Sequence, residues 1–149
     1  MPDAIEPIRT VRLAYDLRIK ASAERTFEVM TQQMHHWRPH TYGGERTRRV
    51  VLEPRVGGAH YEDWGESAGH LYGHVTDYDP PTRWATRGQL SAGTTLDSDY
   101  QLTEAGDGTV RVHVVKVAVG PLTESEAAGI AEHGDYRPFA VAIEKLARR

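Results

Sequence analysis

Two neighbouring stretches decide the fold of this chain: residues 53–64, EPRVGGAHYEDW, and residues 73–84, GHVTDYDPPTRW. Each stretch joins a turn signal to a strand pattern, because paired glycines allow the backbone a tight turn and paired prolines end a strand. Residues 64–69, which contain glycine and serine, lie between the two stretches and predict a hairpin. The region is therefore expected to form antiparallel strands.

Strand patterns continue on both sides of this region. Apolar side chains at every second position of residues 11–20 alternate with polar ones, apart from Ala14, which is typical of a strand with one buried face. Further strands are predicted at 47–53, 59–64, 70–78, 83–88, 94–103 and 110–119, each bounded by turn-forming residues. No long crossover helix separates any two of them, so an antiparallel meander is expected.

Helical patterns appear near both ends of the chain. Ser22 can cap a helix from Ala23 to Gln32, and a second short helical turn is expected within residues 35–44. Thr123 can cap a later helix that Gly134 interrupts. Residues 136–146 then predict an amphipathic terminal helix, which needs the apolar face of the sheet to lie upon.

Composition narrows the class of protein. The 149 residues are expected to form one domain, 1–149, and the formal charge of -3 without a long basic run argues against nucleic acid as a partner. The absence of cysteine excludes disulfides and thiolate chemistry. Residues 1–10 lack an apolar segment, so we expect no leader, no membrane partner and a cytoplasmic location.

The order of elements and the turn motifs resemble the START-like, or SRPBCC, superfamily with its Bet v 1-like helix-grip fold. Within it, the chain is most similar to the branch of homologues of the activator of the heat-shock-protein-90 ATPase. The resemblance covers about residues 13–147 and rests on these motifs: Arg55-Val56-Gly57-Gly58, Tyr61-Glu62, Gly73 with Val75, Pro80-Pro81 and Gly108-Thr109.

The resemblance implies an α+β fold of a defined kind. A curved antiparallel sheet of six to seven strands would wrap around a long C-terminal helix, and two short helices would follow the first strand. A cavity would lie between the sheet and the terminal helix.

Aromatic side chains are placed where that helix would meet the sheet. Rings with polar tips suit a partly wet apolar cavity, although a solid core also needs bulky residues, and the sequence leaves both interpretations open. The candidate ligand-binding residues are Trp37, Tyr61, Glu62, Trp64, Trp84, Tyr100, Tyr136 and Phe139.

The spacing of the eight histidines matches no established metal-ligand motif. His35, His36 and His40 are close in sequence, but adjacent side chains point apart, so we expect no metal. No phosphate-binding glycine loop or nucleophile motif is present, and we expect no cofactor.

Two paired strands carry candidate proton-transfer groups. His60 and Glu62 would face His70 across the hairpin, and a carboxylate could orient an imidazole there if that face were buried. The apolar residues Leu71 and Val75 favour placing the histidine face outside. No catalytic residue is therefore assigned.

Three functions agree with these observations. The favoured one is a domain that holds a small hydrophobic or aromatic ligand in the cavity. The alternatives are a polyketide cyclase-like or aromatase-like enzyme, which carries little sequence signature, and a co-chaperone-like protein-interaction domain. The sequence leaves self-association, including a homodimer, open.

Overall fold

The computed structural model describes residues 5–149. Its strands are β1 (Ile8–Ile19), β2 (Arg49–Leu52), β3 (Ala59–Gly65), β4 (Ala68–Asp79), β5 (Arg83–Ser91), β6 (Thr94–Glu104) and β7 (Val110–Pro121). Its helices are α1 (Ala23–Gln32), α2 (Met34–Trp37), α3 (Glu124–His133) and α4 (Ala140–Ala147), with 3₁₀ turns at Gly44–Arg46 and Arg137–Phe139.

One antiparallel sheet contains all seven strands, in the order β1-β7-β6-β5-β4-β3-β2. The chain thus forms a meander whose last strand returns to pair with the first, from Ile8 opposite Pro121 to Ile19 opposite Val110. The expected α+β class, the antiparallel sheet and the two short helices after β1 are confirmed.

The inner face of the sheet carries the apolar core. From the edge strand β1 inward, Tyr15 lies opposite Val114, Val114 opposite Tyr100, and Tyr100 opposite Trp84. The Trp84 and Tyr100 rings stack with centroids 4.2 Å apart, and Phe27 of α1 packs edge-on against Trp84. Helix α1 therefore closes this half of the sheet with apolar and aromatic contacts.

The C-terminal segment is helical in two pieces. Helix α3 begins with a capping box, in which Thr123 and Glu126 satisfy each other's backbone N–H groups, and Gly134 ends it as expected. The terminal helix begins at Ala140, later than the expected Tyr136, because residues Arg137–Phe139 form a 3₁₀ turn that contains Pro138. Helix α4 buries Ile143 and Leu146 in the core.

The tyrosine of β1 fixes the break between these two helices. The Tyr15 hydroxyl donates a 2.7 Å hydrogen bond to the Gly134 carbonyl and accepts a 3.0 Å hydrogen bond from the Tyr136 N–H. Both backbone groups belong to the segment where the helix stops, so they lack helical partners of their own. The bend is thereby attached to the sheet.

Substitution at Gly88 should test the close approach of β4 and β5. Gly88 pairs with Gly73, and a methyl group on Gly88 would lie 1.7 Å from the Tyr72 carbonyl oxygen. We expect Gly88→Ala to lower the free energy of unfolding by about 3 kcal/mol in urea denaturation, since the backbone must move.

Gly129→Ala in α3 is the matched control, because a methyl group there meets no atom within 4 Å. We expect it to be neutral or to stabilise by about 0.5–1 kcal/mol, the helix propensity difference. Equal stabilities for the two variants would contradict the described strand packing.

Candidate functional site

A cleft of about 600 Å³ opens beyond the end of the packed core, between the inner face of the sheet and α3. Its apolar wall is formed by Val11, Leu13, Leu90, Leu96, Ala118, Leu122 and Ile130. The loop after α2, residues 38–42, closes one side. The cleft exists because α4 packs on the core while α3 covers the sheet without filling the space beneath it.

A smaller pocket of about 80 Å³ adjoins the cleft and shares Arg38, Tyr42, Leu90, Leu96 and Tyr136 with it. This pocket is lined in addition by polar side chains of β3 and β4, among them His60 and Tyr72. The combined cavity therefore has a largely apolar body and a polar inner end.

Lys116 lines the cleft next to Tyr136, which lines both the cleft and the small pocket. This lysine belongs to the inward row of β7, where its neighbours Val114 and Ala118 are buried, and Lys116 itself is only 4% exposed. Its Nζ atom lies 3.2 Å from the centroid of the Tyr136 ring. Burial, followed by the charge of Arg38, lowers the pKa of the Lys116 ammonium.

Arg38 supplies a second cation. The residue follows α2, and its guanidinium carbon lies 5.6 Å from the ring centroids of both Tyr72 and Tyr136. Burial alone would raise the pKa of the Tyr136 phenol, but the charges of Lys116 and Arg38 lower it. Tyr136 thus lies between two positive charges in the wall of the cavity.

His60 contributes an unpaired polar atom. Its side chain is buried, and Nε2 has no hydrogen-bond partner in the described part of the chain. Burial, and then the charges of Arg38 and Lys116, lower the pKa of His60 to about 3. The imidazole is therefore neutral near neutral pH.

Glu62 is fully buried and its carboxylate is surrounded by donors. It accepts hydrogen bonds from the Tyr42 N–H (2.7 Å), the Gly43 N–H (2.9 Å), the Thr47 hydroxyl (2.9 Å), the Trp64 indole (3.0 Å) and the Tyr72 hydroxyl. Burial raises the pKa of a carboxyl group, but these hydrogen bonds, led by that of Tyr72, lower the pKa of Glu62 to about 2.

The Glu62 network positions the wall of the cavity. Two of its five donors are backbone groups of residues 42–43, and the Tyr42 ring stacks on His70 at 3.9 Å. Because an ionised, saturated carboxylate is a poor proton acceptor, Glu62 serves to hold residues 42–47 against β3 and β4.

Comparison with solved structures identifies the fold. A protein from Rhizobium loti is 17% identical, covering 94% of this chain and 99% of its own, with a TM-score of 0.67. Norcoclaurine synthase from Thalictrum flavum is 15% identical, with 95% and 88% covered and a TM-score of 0.61. Ara h 8.0201 is 12% identical, with 95% and 99% covered and a TM-score of 0.64.

This chain has the Bet v 1-like helix-grip fold. No family model matches the chain, and no curated protein matches it. Within residues 5–149, no helix is long and apolar enough to cross a membrane. In the same residues, no three or more His, Cys, Asp or Glu side chains are grouped in a way that could hold a metal ion.

The structure places the eight predicted ligand-binding residues in different environments. Tyr136 lines both the cleft and the small pocket, and Tyr100 lines the small pocket. Glu62 and Trp64 form the hydrogen-bond network behind the wall. The remaining four are distributed as follows: Trp37, Trp84 and Phe139 in or against the core, and Tyr61 half-buried opposite Val51 and Leu71. Their role in ligand contact stays a prediction.

The expectation that the histidine face lies outside is wrong for His60 and Glu62, which are both buried. Leu71, assigned to the apolar inner side, is 52% exposed. The reason is an irregularity in the β3–β4 pairing, where His60 lies opposite Gly73 but Tyr61 lies opposite Leu71. The extra residue, Tyr72, changes the phase of β4, so His70 and Val75 can both face inward.

Sequence reasoning missed Arg38 and Lys116. For Lys116 a signal was available, because a single charge interrupts the inward row of β7 between Val114 and Ala118. Arg38 carries no comparable signal, since its position depends on how the loop after α2 folds over the sheet.

Glu62→Gln should remove part of the protein's sensitivity to acid. The folded pKa of about 2 lies below the ordinary value of 4.5, so the ionised carboxylate stabilises the protein above about pH 4.5, and this contribution is lost as the pH falls toward 2. We expect the variant to be less stable than the parent by about 3 kcal/mol near pH 7 in urea denaturation, with the difference shrinking below pH 4.5.

Glu132→Gln, an exposed position on α3, is the control and should leave the pH profile unchanged. A Glu62→Gln deficit that stays constant from neutral pH to about pH 2.5 would contradict the assigned ionisation of Glu62.

Proposed function

We propose that this protein binds a small molecule with an apolar body in the cleft between α3 and the sheet. The observation that carries the proposal is the cleft itself, about 600 Å³ of space whose lining surface is mainly apolar and includes polar side chains such as Arg38 and Lys116. Volumes of this size and linings of this kind are typical of small-molecule sites.

The size of the cleft is compatible with useful affinity. Removing about 200 Å² of ligand surface from water contributes about 5 kcal/mol before ordering costs. Even before those costs are subtracted, about 5 kcal/mol corresponds to a Kd of only about 0.2 mM, so tighter binding requires polar contacts in addition.

Proteins with the same fold give this proposal a precedent. One solved form of norcoclaurine synthase, 15% identical to this chain with a TM-score of 0.59, is a point mutant in complex with a transition-state analogue. A fold that accommodates a small organic molecule in that protein supports, by analogy, a similar use of the cleft here.

A cyclase-like enzyme is the second candidate, and His60 favours it. An imidazole with an unpaired Nε2 at the wall of a cavity can hydrogen-bond a bound substrate and hold it in a reactive orientation. Four other interpretations remain predictions from the sequence. They are the resemblance to the activator-homologue branch, the co-chaperone alternative, the cytoplasmic location and the homodimer.

Gly129→Leu should block the cleft without disturbing the fold. Gly129 lies on the wall of the cleft, and a side chain added there has open space in front of it. We expect the affinity for the neutral fluorophore N-phenyl-1-naphthylamine, measured by its fluorescence enhancement, to fall at least about tenfold, because the leucine occupies the ligand's volume.

Ala128→Leu is the matched control, since Ala128 is the exposed neighbour on the same helix and does not line the cleft. It should bind the fluorophore as the parent does. Unchanged binding by Gly129→Leu, or no measurable binding by the parent to the fluorophore or to other apolar probes, would count against the proposed function.

A further inference from the structure

Two buried or half-buried cations share the wall of the cavity without an anionic partner. Lys116 and Arg38 both line the cleft. Among residues 5–149, neither side chain has a carboxylate oxygen within 4 Å. Buried cations are normally paired, because removing a charge from water is costly.

The carboxylates around this cavity are engaged elsewhere. Asp135 is held by Arg137, with Oδ1 2.9 Å from Nε and Oδ2 3.0 Å from Nη2. Glu62 is saturated by its five donors. Glu126, which also lines the cleft, accepts a 2.9 Å hydrogen bond from the Thr123 N–H in its capping box. All three acids therefore already have partners other than Lys116 and Arg38.

Aromatic rings compensate these charges only in part. Tyr136 lies beneath the Lys116 ammonium, and the rings of Tyr72 and Tyr136 flank Arg38. Such cation–π contacts are weaker than a charge-assisted hydrogen bond to a carboxylate. An incoming anion would therefore gain two strong contacts that the protein itself does not satisfy.

His60 is an independent observation that points to the same end of the cavity. Its side chain is 9% exposed, it lines the small pocket, and its Nε2 is buried without a partner in the described residues. Buried polar atoms are nearly always hydrogen-bonded, so an unpaired one at a pocket wall indicates a place for a ligand atom. As the Nε2–H tautomer, the neutral imidazole can donate a hydrogen bond to an oxygen.

We propose that the ligand of this cleft is an apolar carboxylic acid, with its carboxylate at the inner end near Arg38, Lys116 and His60 and its apolar body against Leu90, Leu96 and Ile130. This inference rests on the proposed function and names the chemical class of its ligand. The two cations supply charge, and the apolar wall supplies the contact area.

The test compares three ligands with the same ring system. They are 2-naphthoate, the neutral 2-naphthamide and the cationic 2-naphthylmethylamine, each measured near pH 7 by displacement of N-phenyl-1-naphthylamine and by calorimetry. The parent protein should bind 2-naphthoate at least about tenfold more tightly than the amide, and the amine least of the three.

Two variants identify the cations that matter. Lys116→Met and Arg38→Met keep much of the apolar length of each side chain, and each should reduce the preference for naphthoate over naphthamide toward unity while amide binding is retained. The matched controls, Lys145→Met and Arg111→Met, change exposed residues on α4 and β7 and should keep the full preference.

The outcomes separate the two proposals. Equal affinity of the parent for naphthoate and naphthamide, or tighter binding of the amine, overturns the carboxylate inference and leaves cleft binding intact. Failure of all three ligands and of the fluorophore to bind overturns the proposed function as well. The comparison of the three ligands on the parent protein tests the carboxylate inference even if a variant fails to fold.

Discussion

The hydroxyl of Tyr15 determines where the inner face of the sheet is filled and where it stays open. By bonding both Gly134 and Tyr136, it ties the break between α3 and α4 to the middle of β1. Past the break, α4 places Ile143 and Leu146 in the core. On the N-terminal side of the break, α3 covers the rest of the inner face of the sheet without filling the space between helix and sheet. The cleft and the position of Tyr136 in its wall both follow from this attachment.

Two buried charges on the same sheet show how differently a fold can treat them. Glu62 is met by five donors, so its charge stabilises the segment that closes the cavity. Lys116 has an aromatic ring beneath it and no carboxylate within ion-pairing distance in the described chain. An unpaired buried charge reduces stability. The hydrogen bonds to Glu62 explain its burial, whereas the burial of Lys116 at a cavity wall is the reason to propose an anionic ligand there.

Much of the fold could be predicted from local patterns, because most strands alternate and most hairpin turns contain or adjoin glycine or proline. The alternation of residues 11–20 predicted β1, which the structure extends from Ile8 to Ile19, and the capping residues Ser22 and Thr123 marked the starts of α1 and α3. The inward direction of β4 was wrong, since the irregularity at Tyr72 depends on pairing with β3. Such a shift of phase leaves no mark in the alternation of one strand.

The candidate site was less accessible to sequence reasoning. Aromatic residues were expected to line the cavity, yet Trp84 and Trp37 are almost fully buried in the core, where they pack against Tyr100 and Tyr136. Composition cannot distinguish a ring in a core from a ring in a wall, because both need a large apolar surface. The sequence indicated Lys116 as a single charge in an apolar row. The position of Arg38 in the cavity wall depends on how the loop after α2 folds, which the sequence does not indicate.

The most direct test of this account is a crystal structure of the protein grown with 2-naphthoate. We expect the naphthalene ring in the cleft beneath α3, with its carboxylate oxygens within hydrogen-bond distance of Lys116 and Arg38. A cleft that stays empty while the ligand occupies another surface, or a ring bound with its carboxylate turned toward solvent, would contradict it.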